Sequence, residues 1–165
     1  MIRGFLIAAT LLITIAAWAE DWGPLQFLVG HWTGDGGGEP GRGSGSFSFA
    51  PDLQGKILVR KSFAEYPAAN GKPSYRHDDL MIVYRDGSSR RLRAIYFDSE
   101  EHAFPYSIQS SPGGVVFESE GPRDTARFRL TYASAGSGRL KLKFEIAPPG
   151  KEYATYIEAA ANRED

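Results

Sequence analysis

The chain has three histidines and no cysteine. Two of the histidines stand near carboxylates: His77 is followed by Asp78 and Asp79, and His102 follows Glu101. Imidazole and carboxylate together are a ligand set for zinc or iron. In an extended strand successive side chains point to opposite faces, so His77 can share a face with Asp79 but not with Asp78. A third ligand, His102 or His31, would have to converge from elsewhere in the chain, and no spacing arranges this. A metal site is not expected. Covalent catalysis has no better support: there is no cysteine, no nucleophile elbow, and the serines fall mostly in turn-like segments. Paired carboxylates of the hydrolase kind are not apparent either, so an enzyme is the less favoured class.

The polar residues that interrupt otherwise apolar stretches between 74 and 110 suit binding better. His77, Arg93, Tyr96, His102 and Tyr106 are the candidate ligand-binding residues. A cavity that is mostly apolar with a few placed polar groups is the usual small-molecule site. Arginine and tyrosine there would suit a carboxylate head group on an apolar body. Alternation puts His102, Phe104, Tyr106 and Ile108 on one face. Arg93 shares a face with Ile95 and Phe97, against Leu92, Ala94 and Tyr96, and both faces are apolar enough that Arg93 fits inside or outside. Arg127 and Arg129 oppose Phe128, Leu130 and Tyr132 and are expected to meet water.

These residues must be held by strands. Beyond residue 20 no long stretch has apolar residues at helical spacing; short β-branched and aromatic runs alternate with Gly, Pro, Asn and Asp. Strands are expected at about 30–36, 43–50, 55–65, 74–85, 91–98, 102–110, 114–120, 126–133, 138–146 and 153–161. The run from 138 to 146 is the clearest, with Leu140, Leu142, Phe144 and Ile146 against Arg139, Lys141, Lys143 and Glu145. Short turn-like connections such as Asp86-Gly87-Ser88-Ser89 join antiparallel neighbours. A meander of this length avoids exposed edges by closing. The expected fold is therefore all-β: an up-and-down antiparallel β-barrel of about ten strands. A short N-terminal helical turn is expected over 21–29, with Pro24 near its start.

The Gly34–Gly45 segment is rich in glycine but is followed by Ser46-Phe47-Ser48-Phe49, which alternates as a strand. A phosphate loop needs a helix there, so the segment reads as a flexible hairpin connection. The formal net charge of −1 gives no basis for nucleic-acid binding.

At the N-terminus, Arg3 precedes an apolar run from Phe5 to Ala17 that ends in Ala17-Trp18-Ala19, the layout of a secretory signal. The run is shorter than the roughly 20 residues that cross a bilayer. Residues 1–19 are expected to be a cleaved leader and 20–165 a single exported domain, periplasmic or extracellular, with no transmembrane anchor left. Without cysteine, its stability has to come from packing and a closed sheet.

The segment Phe27-Leu28-Val29-Gly30-His31-Trp32-Thr33-Gly34 resembles the opening of the calycin superfamily, a short helical turn followed by Gly-x-Trp on the first strand. The resemblance implies that Gly30 turns the chain from helix to strand and that Trp32 closes one end of the barrel. Within the superfamily, the ten-strand count and Gly30-x-Trp32-x-Gly34 look most like the fatty-acid-binding-protein-like barrels, including the nitrobindin-type haem proteins. Arg76–Tyr84, Arg93–Asp98 and Glu101-His102 also resemble a group of uncharacterised bacterial calycin-like domains. The haem-binding members carry a proximal histidine near the C-terminus, and residues 126–165 contain no histidine, cysteine or methionine. Tyr153 or Tyr156 would have to serve instead, so no cofactor is expected. The functional expectation is a binding module whose interior holds a small apolar or amphipathic molecule. The alternatives are a barrel filled by its own side chains and a haem-binding protein of the nitrobindin kind.

Overall fold

The computed structural model describes residues 21–69 and 71–164. The expected leader and the expected new N-terminus at Glu20 lie outside the described residues. Ten strands follow one another: β1 (Gly30–Gly38), β2 (Gly41–Asp52), β3 (Ile57–Tyr66), β4 (Tyr75–Arg85), β5 (Leu92–Asp98), β6 (Ala103–Ser111), β7 (Gly114–Ser119), β8 (Arg127–Ser134), β9 (Arg139–Ala147) and β10 (Ala154–Glu164). Each pairs antiparallel with its chain neighbour, and β10 pairs back onto β1 to close the barrel. Closure leaves none of the ten strands as a free edge. The expected all-β, up-and-down barrel is the fold observed.

A 3₁₀ helix, Gly23–Leu28, is the helical turn expected before β1; Pro24 starts it, where a missing N–H costs nothing. Among the described residues, no helix is long and apolar enough to cross a membrane. Trp22, Leu25 and Leu28 are buried and plug one end of the barrel. Trp32 lies directly beneath them, 2 % exposed, and its indole N–H donates to the Leu28 carbonyl at 2.8 Å. Arg163, on β10, stacks its guanidinium 4.3 Å from the Trp32 ring and donates to the carbonyls of Val29 (2.6 Å) and Phe27 (3.1 Å). It thereby supplies donors to carbonyls that the end of the helix leaves unpaired. Gly30 has a φ of 134°, a backbone conformation that residues with a Cβ rarely adopt, so glycine suits this turn.

The glycine-rich segment departs from expectation. Gly34 to Gly38 belong to β1, and Gly41 to Gly45 to β2, paired with each other and with β10 and β3. Only Glu39 and Pro40 lie between the two strands. The reason is steric: a Cβ on Gly34 would overlap the Ala160 carbonyl, and one on Gly45 the Phe63 carbonyl. Backbones approach this closely where the sheet coils sharply to close, and glycine there permits the ladder.

Candidate functional site

The barrel interior changes character along its axis. Next to the 3₁₀ helix it is filled by Phe49, Leu58, Val83, Val115, Phe117 and Leu140, all essentially inaccessible. A middle layer of Phe47, Arg60, Met81, Tyr106 and Tyr132 is also buried. Beyond that layer a cavity of about 300 Å³ opens toward the far end.

One wall of the cavity is apolar. The rings of Tyr96, Phe104, Phe128 and Phe144 stack in succession, with centroids 4.9, 4.9 and 6.2 Å apart. They come from β5, β6, β8 and β9. Phe104 and Phe128 meet because β7 stops at Ser119, whose hydroxyl accepts from the Phe128 N–H at 2.8 Å. Leu142, Ile157 and Ala159 extend this wall. β10 has a bulge between Thr155 and Ile157, so one extra residue is inserted and both Tyr156 and Ile157 line the cavity.

The other wall is polar and comes from β3, β4, β5 and the turn after β5. Arg60 is 5 % exposed; its Nε donates to the Tyr132 hydroxyl at 2.7 Å and its Nη1 pairs with Asp79. The second Asp79 oxygen stands 4.0 Å from His77 Nε2. His77 Nδ1 is 3.1 Å from Glu100 and 3.2 Å from the Tyr75 hydroxyl, which itself donates to Glu100. A carboxylate can only accept, so in the neutral ring the proton belongs on Nδ1. Nε2 then accepts from the Tyr96 hydroxyl at 3.1 Å. Beside this chain, Asp98 accepts from His102 Nδ1 at 2.9 Å and from the backbone N–H groups of Glu100 and His102.

Electrostatics keep this wall in defined protonation states. Burial, then the neighbouring Asp79 charge, push the Tyr96 phenol above its ordinary pKa, against the opposing effect of Arg60. Burial likewise raises Tyr106, and raises Tyr132 to about 12, again with Arg60 opposing. All three remain neutral hydrogen-bonding groups in ordinary conditions. Burial works against ionisation of Asp98, but the hydrogen bonds from the His102 backbone and ring outweigh it and hold the carboxyl below the usual range. Glu100 is also lowered, first by the Tyr75 hydroxyl and also by His77, with burial opposing.

Of the candidate residues, His77, Tyr96, His102 and Tyr106 line the cavity. Arg93 does not. It lies on the outer wall, paired with Glu120 and flanked across the sheet by Tyr84 and Ser107. Its neighbour Ala94 is fully buried opposite Tyr106, which fixes Leu92, Ala94, Tyr96 and Asp98 as the inward set. The outer set, Ile95 and Phe97, is exposed although apolar, which is why the sequence left this strand's orientation open. Gly30 and Trp32 stand at the end of the barrel that the 3₁₀ helix plugs. Asp78 faces outward and pairs with Arg76. Among the described residues, no group of three or more His, Cys, Asp and Glu is arranged to hold a metal ion.

Arg60, Asp98 and Glu100 were not among the expected site residues. Arg60 carried a signal: it shares its face with Leu58 on a strand whose other face holds Lys61, so it had to point inward if Leu58 did. Glu100 sits in a turn, where alternation says nothing. No family model matches the chain, and no curated protein matches its sequence. Among solved structures it is similar to the crystal structure of Rv2717c from M. tuberculosis, with a TM-score of 0.59 and 13 % identity over 86 % of this chain and 98 % of that one. At that identity the likeness is one of fold: this chain is a closed ten-stranded barrel of the same general shape.

Proposed function

We propose that the protein is an exported, calycin-like carrier that holds a small amphipathic molecule inside the open half of its barrel. The observation that carries this reading is the two-sided cavity. One side is a row of stacked aromatic rings, the other a polar wall in which Arg60 pairs with Asp79 and His77 bridges Tyr96 and Glu100. A volume of about 300 Å³ is at the lower end for small-molecule sites, so the ligand is small. A barrel filled by its own side chains would leave no such space. Haem has a poor seat here: the Tyr153 ring lies on the outer face against Arg129, 4.1 Å away, and Tyr156 is packed on Phe144. Export rests on the sequence of residues 1–19, and an intact mass beginning at Glu20 in the exported protein checks it.

The carrier reading is tested with 1-octanol, a neutral amphiphile, by titration calorimetry. Binding with a negative heat-capacity change is the expected result, as for burial of apolar surface. Leu142→Trp fills the cavity from its apolar wall and should abolish binding. Because there is room for the larger ring, it should shift stability by less than about 1.5 kcal/mol. Binding that survives Leu142→Trp in a folded protein places the ligand elsewhere and refutes the reading.

A further inference from the structure

The head group that this cavity selects can be read from the charges that face it. Arg60 is the one Lys or Arg side chain among the cavity-lining residues, and it is already engaged by Asp79, by the Tyr132 hydroxyl and by the Phe47 ring 5.6 Å away. Arg93, the residue that would have supplied a free cation for a carboxylate, is outside and paired with Glu120. The carboxylates Asp79, Asp98 and Glu100 all line the space.

A second feature points to a missing partner. The Asp79 side chain is 8 % exposed, and its Oδ2 accepts no hydrogen bond from any described residue; His77 Nε2 stands 4.0 Å from it. Asp79 lines the cavity, so a group held there can donate to that oxygen. The Tyr96 ring lines the same space, and nearer the mouth so do the rings of Tyr66 and Tyr75. Aromatic faces attract cations, most strongly in sites sheltered from water.

We infer that the cavity is selective for a cationic amphiphile, a small protonated amine on an apolar body, whose ammonium donates to Asp79 and lies between Glu100 and the Tyr96 ring. This rests on the carrier reading and reverses the sign of head group that the sequence suggested. The apolar body would lie along Phe104, Phe128 and Phe144, and the ammonium would supply the donor that Asp79 lacks.

Three probes of equal chain length test it: n-octylammonium, 1-octanol and octanoate, titrated by calorimetry at about pH 8, above the ordinary imidazole pKa and below that of an amine. Octylammonium should bind at least about tenfold more tightly than octanoate, with 1-octanol between them. Glu100→Gln, a near-isosteric change at the exposed end of the polar wall, should shrink that preference by about threefold or more. Near-ultraviolet circular dichroism confirms that the variant is folded. Octanoate binding as tightly as octylammonium, or octylammonium no better than 1-octanol, overturns the charge assignment and leaves the carrier standing. An unchanged preference in Glu100→Gln also overturns it, because the selectivity would then arise away from this wall. Failure of all three probes to bind overturns the carrier and this inference together.

Discussion

The two halves of the barrel are built from the same ten strands and do opposite things with their inward side chains. Toward the 3₁₀ end, Phe49 of β2 meets Tyr132 of β8 edge to face across the barrel, Phe117 packs on the same ring, and Trp22 and Trp32 are buried in the same core. At the other end the rings of Phe104, Phe128 and Phe144 lie along one wall and stack on each other, while the facing wall is polar. Aromatic content does not distinguish a core from a cavity. What distinguishes them is whether rings face one another across the barrel or line up along a wall. Arg60, Tyr132 and Tyr106 form the boundary, a buried polar layer resting on the filled half and facing the open one.

If stability is concentrated in the filled half, its removal should hurt most there. Trp32→Ala deletes the residue that ties the helix to β1 through the Leu28 carbonyl and supports Arg163, and should cost about 4 kcal/mol in urea unfolding. A cost as small as that of a surface substitution would show that the closed end is not the stable one.

The boundary layer comes next. Arg60→Leu leaves Asp79 buried without its counter-ion and should cost about 3 kcal/mol. Adding Asp79→Leu should restore a large part of that, because removing both charges also removes their desolvation. If the double variant is no more stable than the single one, the pair does more than neutralise itself, and the two halves are coupled more tightly than their packing indicates.

The smallest effect is the open end's own share of the acid response. Burial raises the cost of the Asp98 charge, but its hydrogen bonds win, and both Asp98 and Glu100 have folded-state pKa values below their ordinary ones. A depressed carboxyl stabilises the fold above its unfolded pKa, about 4, and loses that contribution as pH falls through the lower folded value. Stability should therefore decline below about pH 4, and Asp98→Asn should make the decline shallower. Trp32→Ala should lower the whole curve without changing its acid slope. An Asp98→Asn slope equal to that of the parent would move the acid sensitivity elsewhere.

Much of this arrangement was legible in the chain. Leu140, Leu142, Phe144 and Ile146 alternate with charged residues, and that alone assigns β9 an inner and an outer face. The shared parity of His102, Phe104 and Tyr106 placed three cavity residues together, and the Gly30-x-Trp32 turn marked the closed end. Arg93 was not legible, because β5 is apolar on both faces and its outer residues Ile95 and Phe97 remain exposed in the fold. Tyr156 was hidden by a bulge, which breaks the alternation from which faces are read. Gly34 to Gly45 read as a loop because glycine is a loop residue in isolation; only the near contact with the Ala160 and Phe63 carbonyls turns it into a requirement of the ladder.

The sequence by itself determined the number of strands, their up-and-down order and the existence of one apolar face on most of them, because these follow from local periodicity and short turns. The tertiary structure decided which face of β5 is inside, that Arg60 spends its charge on Asp79, and that Glu100 reaches His77 from a turn. Those outcomes depend on strand register and on the sharp coiling that closes β1 onto β10, which bring together residues far apart in the chain. A charge's partner is a matter of distance in space, and periodicity along one strand carries no information about it.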